Sequence, residues 1–204
     1  CENLEKLVVN GSVRSVGTNL FDNTKIYDAS EMGYYYKNKK VKTGIIKEGA
    51  ESIPYNAFLG CENLKTLYIE SSVLSSLRKD RYEIIFYGCN NLEKVAITED
   101  NPNFTVVDDI VYSKDMTRLI RCLPGKKGKV NIPSSVTKIE SYAFYGCKYL
   151  EGELVIPDSV TVLESKAFSD CLSEIPLKIG SGIEEIKSST FENSKFTGQL
   201  IIPN

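Results

Sequence analysis

Two consecutive stretches of the chain place apolar residues at the same spacing. Residues 132–156 read IPSSVTKIESYAFYGCKYLEGELVI, and residues 156–179 read IPDSVTVLESKAFSDCLSEIPLKI. Both carry I-P-x-S-V-x-x-(I/L)-x-x-x-A-F-x-x-C, followed by a leucine-rich tail that ends in L-x-I. The L-x-I tail alternates with period 2, so it predicts a short strand with both apolar side chains on one face. V-x-x-(I/L) predicts a second short extended or turn segment. A-F-x-x-C, a small residue beside a large ring, predicts a tight helical turn. Proline after isoleucine, at Pro133 and Pro157, marks the strand end.

The pattern continues in both directions. Ile53, Ala57, Phe58, Cys61, Leu64, Leu67 and Ile69 fit it, as do Val73, Leu77, Phe86, Cys89, Leu92, Val95 and Ile97. Val13, Val16, Leu20 and Phe21 fit with Thr24 in the cysteine slot; Ile183, Ile186, Thr190 and Phe191 fit with Ser194 there. Cys1, Leu4, Leu7 and Val9 form the second half of a unit, and Leu200-Ile201-Ile202-Pro203 opens another, which predicts a segment of a longer array. The cysteine slot falls at 1, 24, 61, 89, 147, 171 and 194, giving a basic period of 23. That period lies within the range of leucine-rich repeats. One such unit cannot bury its own apolar face, but stacked units share a continuous core. The expectation is one solenoid of about seven 23-residue units over residues 1–204, with a buried ladder of Phe21, Phe58, Phe86, Phe144, Phe168 and Phe191.

The surplus over the period predicts insertions near 27–45, 78–84 and 98–131. In the longest, Phe104-Thr-Val-Val, Ile110-Val-Tyr and Arg118-Leu-Ile-Arg-Cys-Leu are three apolar runs separated by two turns, the signature of an antiparallel ribbon. The first holds Tyr34, Tyr35 and Tyr36, then Asn38-Lys39 and Val41, which predict a hairpin. Near Lys79-Asp80-Arg81 a longer turn is expected.

The repeated motif resembles the BspA-like leucine-rich repeat family, and Asn101-Pro-Asn-Phe-Thr-Val-Val-Asp-Asp-Ile-Val-Tyr resembles a β-ribbon insertion that recurs in it. Asp109 departs from the glycine usual there, at a turn position that favours positive φ. Thr24 and Ser194 depart in the cysteine slot. The resemblance implies a leucine-rich repeat right-handed solenoid, β-rich with short helical turns and β-ribbon insertions. It implies a secreted or surface-attached protein of bacteria or parasitic protists, associated with adhesion to host proteins and cells.

Composition narrows the chemistry. The chain carries 25 Lys+Arg against 27 Asp+Glu, a net charge of −2, which lacks the basic excess of a nucleic-acid binder. Histidine is absent, which removes Ser-His-Asp and Cys-His catalysis and histidine-ligated metals. No apolar run approaches the roughly 20 residues of a membrane helix, and the opening Cys-Glu-Asn-Leu lacks the build of a signal peptide. Cys1, Cys61, Cys89, Cys147 and Cys171 share one repeat slot that threonine and serine also fill, so reduced core thiols are expected in place of a disulfide framework or a lipid anchor at Cys1. Cys122 lies outside that register and is the candidate reactive or pairing thiol. Ser135-Val-Thr-Lys138 and Lys42-Thr43-Gly44 mimic two penicillin-recognition motifs, but in reversed order and within ordinary repeats. Glu99, Asp100, Asp108 and Asp109 lack calcium-loop spacing and read as solvated acidic turns. No cofactor or metal is expected.

The candidate site lies on the strands. If both ends of L-x-I point inward, the middle residue points outward: Val8, Tyr68, Ala96, Val155, Lys178 and Ile201. An exposed apolar stripe of this kind suits a protein partner, although strand propensity alone favours the same residues. Tyr34, Tyr35 and Tyr36 beside Lys37 and Lys39 add an inserted contact. The reading is a non-enzymatic extracellular or cell-surface module that binds a protein or glycoprotein, host matrix included, with no nucleic acid and no membrane insertion. The alternative is a structural spacer that presents other domains.

Overall fold

The computed structural model describes residues 6–9, 25–27, 34–36, 42–46, 61–69, 88–199 and 201. The chain divides into two compact units, Cys1–Asn103 and Phe104–Asn204. Every regular element among the described residues is a strand.

In the first unit, β1 (Lys6–Val9), β4 (Thr43–Ile46), β5 (Thr66–Ile69) and β6 (Lys94–Ile97) form a parallel sheet in that order. The inward residues Leu67, Ile69 and Val95 are buried, together with Leu64, Leu92, Cys61 and Cys89. The turns entering each strand stack in the same way: the Lys65 and Thr66 amides donate to the Lys42 carbonyl, and those of Glu93 and Lys94 donate to Lys65. β2 (Lys25–Tyr27) and β3 (Tyr34–Tyr36) form an antiparallel hairpin. The tyrosine run therefore pairs backwards with Lys25–Tyr27 and not forwards across Asn38-Lys39. The reason is that Thr43–Ile46 is already a rung of the parallel sheet. That rung escaped the repeat pattern because Gly44 stands, in register, where its neighbours have Leu7 and Leu67.

In the second unit, β7 (Phe104–Val107), β8 (Ile110–Ser113) and β9 (Arg118–Cys122) form the expected antiparallel ribbon. β9 then pairs in parallel with β11 (Lys138–Ile139), which pairs with β14 (Val162–Leu163) and that with β16 (Glu185–Ile186). One six-stranded sheet thus runs from the ribbon into the V-x-x-(I/L) segments of successive repeats. The L-x-I tails pair separately, as β13 (Leu154–Ile156) with β15 (Leu177–Ile179). β10 (Lys127–Gly128) pairs with β12 (Tyr149–Leu150).

Between these sheets lies a core of Val136, Ile139, Phe144, Leu154, Ile156, Val160, Leu163, Phe168, Leu177 and Ile179 with their neighbours. The rings of Phe144 and Phe168 stack at 4.8 Å, and those of Phe168 and Phe191 at 5.4 Å. Phe21, Phe58 and Phe86 lie outside the described residues.

The A-F-x-x-C segment is compact but closes as successive turns instead of a helical turn. The amides of Ala143, Tyr145 and Cys147 bond three residues back, while the intervening Phe144 and Gly146 amides donate to Ala167 and Asp170 of the next repeat. A helix would keep every one of those amides within the segment. Left-handed residues recur four apart and enforce the break: Tyr142 and Gly146, Lys166 and Asp170, Ser189 and Asn193. The slot just before the cysteine holds Gly88, Gly146, Asp170 and Asn193, all at positive φ and all residue types that tolerate it.

Candidate binding surface

Strand alternation places the outward residues in rows. In the first unit Val8, Ile45, Tyr68 and Ala96 stand in register across four parallel strands. Tyr68 is 39% exposed and Ala96 half-buried. Ile45 belongs to this row, although the repeat pattern had passed over it. The neighbouring row is polar: Thr43, Thr66 and Lys94 stand in register with Lys6. Beside it Lys65 and Glu93 form an exposed ion pair at 3.0 Å.

In the second unit Val155, 41% exposed, stands opposite the exposed Lys178. A charge therefore interrupts the apolar row there. Ile201 is 64% exposed and lies outside the named strands. Tyr34, Tyr35 and Tyr36 stand in register with Tyr27, Ile26 and Lys25, so a fourth tyrosine joins the hairpin. The structure thus aligns Val8, Tyr68 and Ala96, aligns Val155 with Lys178, and pairs the tyrosine run within its own hairpin.

The six-stranded sheet carries a different surface. Arg118 contacts Glu140 at 2.5 Å, Lys138 contacts Glu164 at 2.5 Å, and Lys187 contacts Glu164 at 2.9 Å. Burial alone would raise the Glu164 carboxyl, but hydrogen bonds from Lys138 and Lys187 overcome it and hold the pKa below the ordinary value. This ladder of alternating charge joins successive repeats.

The suspected reactive groups are otherwise engaged. Ser135 donates to the Met116 carbonyl at 3.0 Å, and Lys138 belongs to the ladder, so neither forms a catalytic pair with the other. Asp108 pairs with Lys126 at 2.9 Å. Cys61, Cys122, Cys147 and Cys171 are buried thiols outside any disulfide, and Cys89 is buried as well. Burial pushes Cys61 and Cys171 up to about 12 and raises Cys147 strongly. Such thiols are poor nucleophiles at neutral pH. Cys122 is corrected from candidate reactive thiol to core residue. Its amide donates to Ala143 as Phe144 donates to Ala167 and Phe168 to Thr190, so it takes the phenylalanine place in the ribbon's turn. The resulting environment is closed to solvent.

The surface is thus a repeating scaffold with outward rows of side chains. Among the described residues no helix is long and apolar enough to cross a membrane. No curated protein is significantly similar to the chain in sequence. Among solved structures, the pneumococcal vaccine antigen PcpA is 16% identical with a TM-score of 0.47; the match covers 89% of this chain and 62% of that one. A leucine-rich repeat protein from Eubacterium ventriosum is 17% identical with a TM-score of 0.47, over 98% of this chain and 67% of that one. A leucine rich cell surface protein from Faecalibacterium prausnitzii is 15% identical with a TM-score of 0.43, over 94% of this chain and 73% of that one. The sequence profile of the BspA type leucine rich repeat region matches residues 30–116 and 126–204, in six copies. With that match over most of its length, and with rungs that recur at the spacing of its repeats, the chain belongs to the BspA type leucine rich repeat family.

Proposed function

We propose that the chain is a non-enzymatic binding module of a secreted or cell-surface protein, and that it engages a protein or glycoprotein partner through the outward row of its first unit. The observation that carries this reading is the register of Val8, Ile45, Tyr68 and Ala96 on four consecutive strands, with no charged residue among them. A flat apolar row bordered by polar threonines and lysines has the make-up of a protein-binding patch: an apolar centre and a polar rim. The hairpin tyrosines add aromatic side chains of the type that dominates such interfaces. The repeat pattern runs through both units, which supports reading them as parts of one array.

The test is surface plasmon resonance of the chain against matrix proteins and cell-surface glycoproteins. A saturable partner is expected, and Tyr68→Asp should weaken it at least tenfold while the circular dichroism spectrum and melting temperature stay unchanged. Val155→Asp, on the row that Lys178 interrupts, should have a smaller effect. A partner whose affinity ignores Tyr68→Asp would remove the row from the site. The absence of any partner would favour the spacer reading.

A further inference from the structure

We infer that β10 and β12 carry a separate site for an acidic polysaccharide, built from Lys127, Lys129, Lys148 and Tyr149. This site shares no residue with the apolar row.

The two strands pair in parallel with Lys127 opposite Tyr149 and Gly128 opposite Leu150. Leu150 is buried, so alternation turns Lys127, Lys129 and Tyr149 to the outer face. Tyr149 is 45% exposed, although it is a large aromatic residue. The Lys148 ammonium lies 5.1 Å from its ring centroid, and that of Lys127 lies at 6.0 Å. Gly152, at φ +75°, leaves its side-chain space to the stem of Lys129. A Cβ there would stand 3.2 Å from the Lys129 Cγ and Cε atoms. Two cations, Lys127 and Lys148, are thus gathered around one exposed ring, and on the same outer face the stem of Lys129 rests on the backbone at Gly152.

Carboxylate pairing distinguishes these lysines from most others of the unit. Lys126, Lys138, Lys166, Lys187 and Lys195 each lie within ion-pair distance of a carboxylate. Among the described residues, no carboxylate stands that close to Lys127, Lys129 or Lys148. The nearest acidic side chains along the chain are the exposed Glu151 and Glu153, on either side of Gly152. Cations without a carboxylate partner around a ring suit a ligand that brings its own anions and a flat apolar face. A pyranose carrying carboxylate or sulfate groups has both. The ammoniums meet the acid groups, and the ring and lysine stems meet the sugar C–H face. An extended acidic peptide would instead draw its affinity chiefly from backbone hydrogen bonds along a strand edge and would leave the face of the Tyr149 ring unused.

The experiment is affinity measurement of the whole chain on immobilised heparin and polygalacturonate, with dextran and single-stranded DNA as comparison surfaces, across a salt series. Binding to at least one acidic polysaccharide, falling with salt, and none to dextran are expected. The double variant Lys127→Gln/Lys148→Gln should reduce the slope of log affinity against log salt by about two, one released counterion per lysine. Tyr149→Ser should weaken the binding that persists at high salt, where charge is screened. Lys195→Gln, which removes a lysine already paired with Glu174, should leave both unchanged. Each variant is checked by its melting temperature, and the two single lysine variants serve if the double variant is unstable. Failure to bind either polysaccharide, equal binding by all variants, or DNA binding as tight as polysaccharide binding would each overturn the assignment.

Discussion

The ribbon and the repeats of the second unit share one sheet but are held by different physics. In the ribbon, each strand is placed by the turn before it. Asp108 and Asp109 both sit at positive φ between β7 and β8, and Asp115 organises the β8–β9 turn by accepting from the Ser113 hydroxyl at 2.6 Å and the Thr117 hydroxyl at 2.8 Å. Those bonds hold the Asp115 carboxyl down to about 2. In the repeats, no turn places a strand against its partner. Each rung is positioned by the rung 23 or 24 residues away, through the same slot: Ser159 Oγ to Val136 O at 2.7 Å, Thr161 Oγ1 to Thr137 O at 3.4 Å, and ring on ring at Phe168. Local contacts specify the ribbon, and periodic long-range contacts specify the solenoid.

The join between them is β9. Its start pairs in parallel with β11, and the strand as a whole pairs antiparallel with β8. Arg121, 1% exposed, secures the join by donating to the carbonyls of Tyr142 and Tyr145, the latter at 2.8 Å. The guanidinium fork reaches both carbonyls at once.

The contrast can be probed by substitution, and the largest effect belongs to the repeats. Phe168→Ala removes a ring stacked between Phe144 and Phe191, and should cost about 3–5 kcal/mol, read as a shift in urea midpoint. A change below 1 kcal/mol would mean that the ring ladder does not carry the core. Arg121→Leu keeps bulk but removes the guanidinium donors from both carbonyls, leaving Tyr142 O only the Tyr145 amide, and should cost about 2–3 kcal/mol. Faster hydrogen exchange confined to 142–147 would locate that loss at the join, whereas uniform acceleration would contradict it.

Smaller effects discriminate the ribbon more finely. Asp109→Gly relieves a side chain at φ 57° and should stabilise by about 0.5–1 kcal/mol. An equal destabilisation would show that the aspartate side chain matters more than its backbone strain. Least of all, the Glu164 ladder should contribute under about 1 kcal/mol, since both lysines are partly exposed. Its carboxyl pKa is lowered in the fold, so its stabilisation is complete above the ordinary value of 4.5 and disappears as pH falls through the lowered value. Comparing Glu164→Gln with the parent chain by thermal melts should show a difference at pH 6 that vanishes at low pH and shrinks with salt. A gap that persists in acid would assign the effect to packing.

Much of this was written in the chain before folding. The period of 23, the buried phenylalanine and cysteine slots at Phe144, Phe168, Cys147 and Cys171, and the three strands of the ribbon follow from spacing. They do so because each repeat must bury the same face against the next. What escaped had lost its apolar marker or depended on a distant partner. Thr43–Ile46 is hidden by Gly44, since a rung can be held by backbone hydrogen bonds without the leucine that advertises it. Cys122 looked solitary because the residue it replaces is a phenylalanine. The A-F-x-x-C segment looked helical because its compactness is local, while the bonds that forbid a helix go to the next repeat. The candidate surfaces divide in the same way. Alternation alone pointed to Tyr68, Ala96 and Val155, because a strand's faces are set by its own period. Only the tertiary structure added Ile45 to the row of Tyr68 and Ala96 and gathered Lys127, Lys148 and Tyr149. Register between strands is a property of the stacked array, and no single repeat contains it.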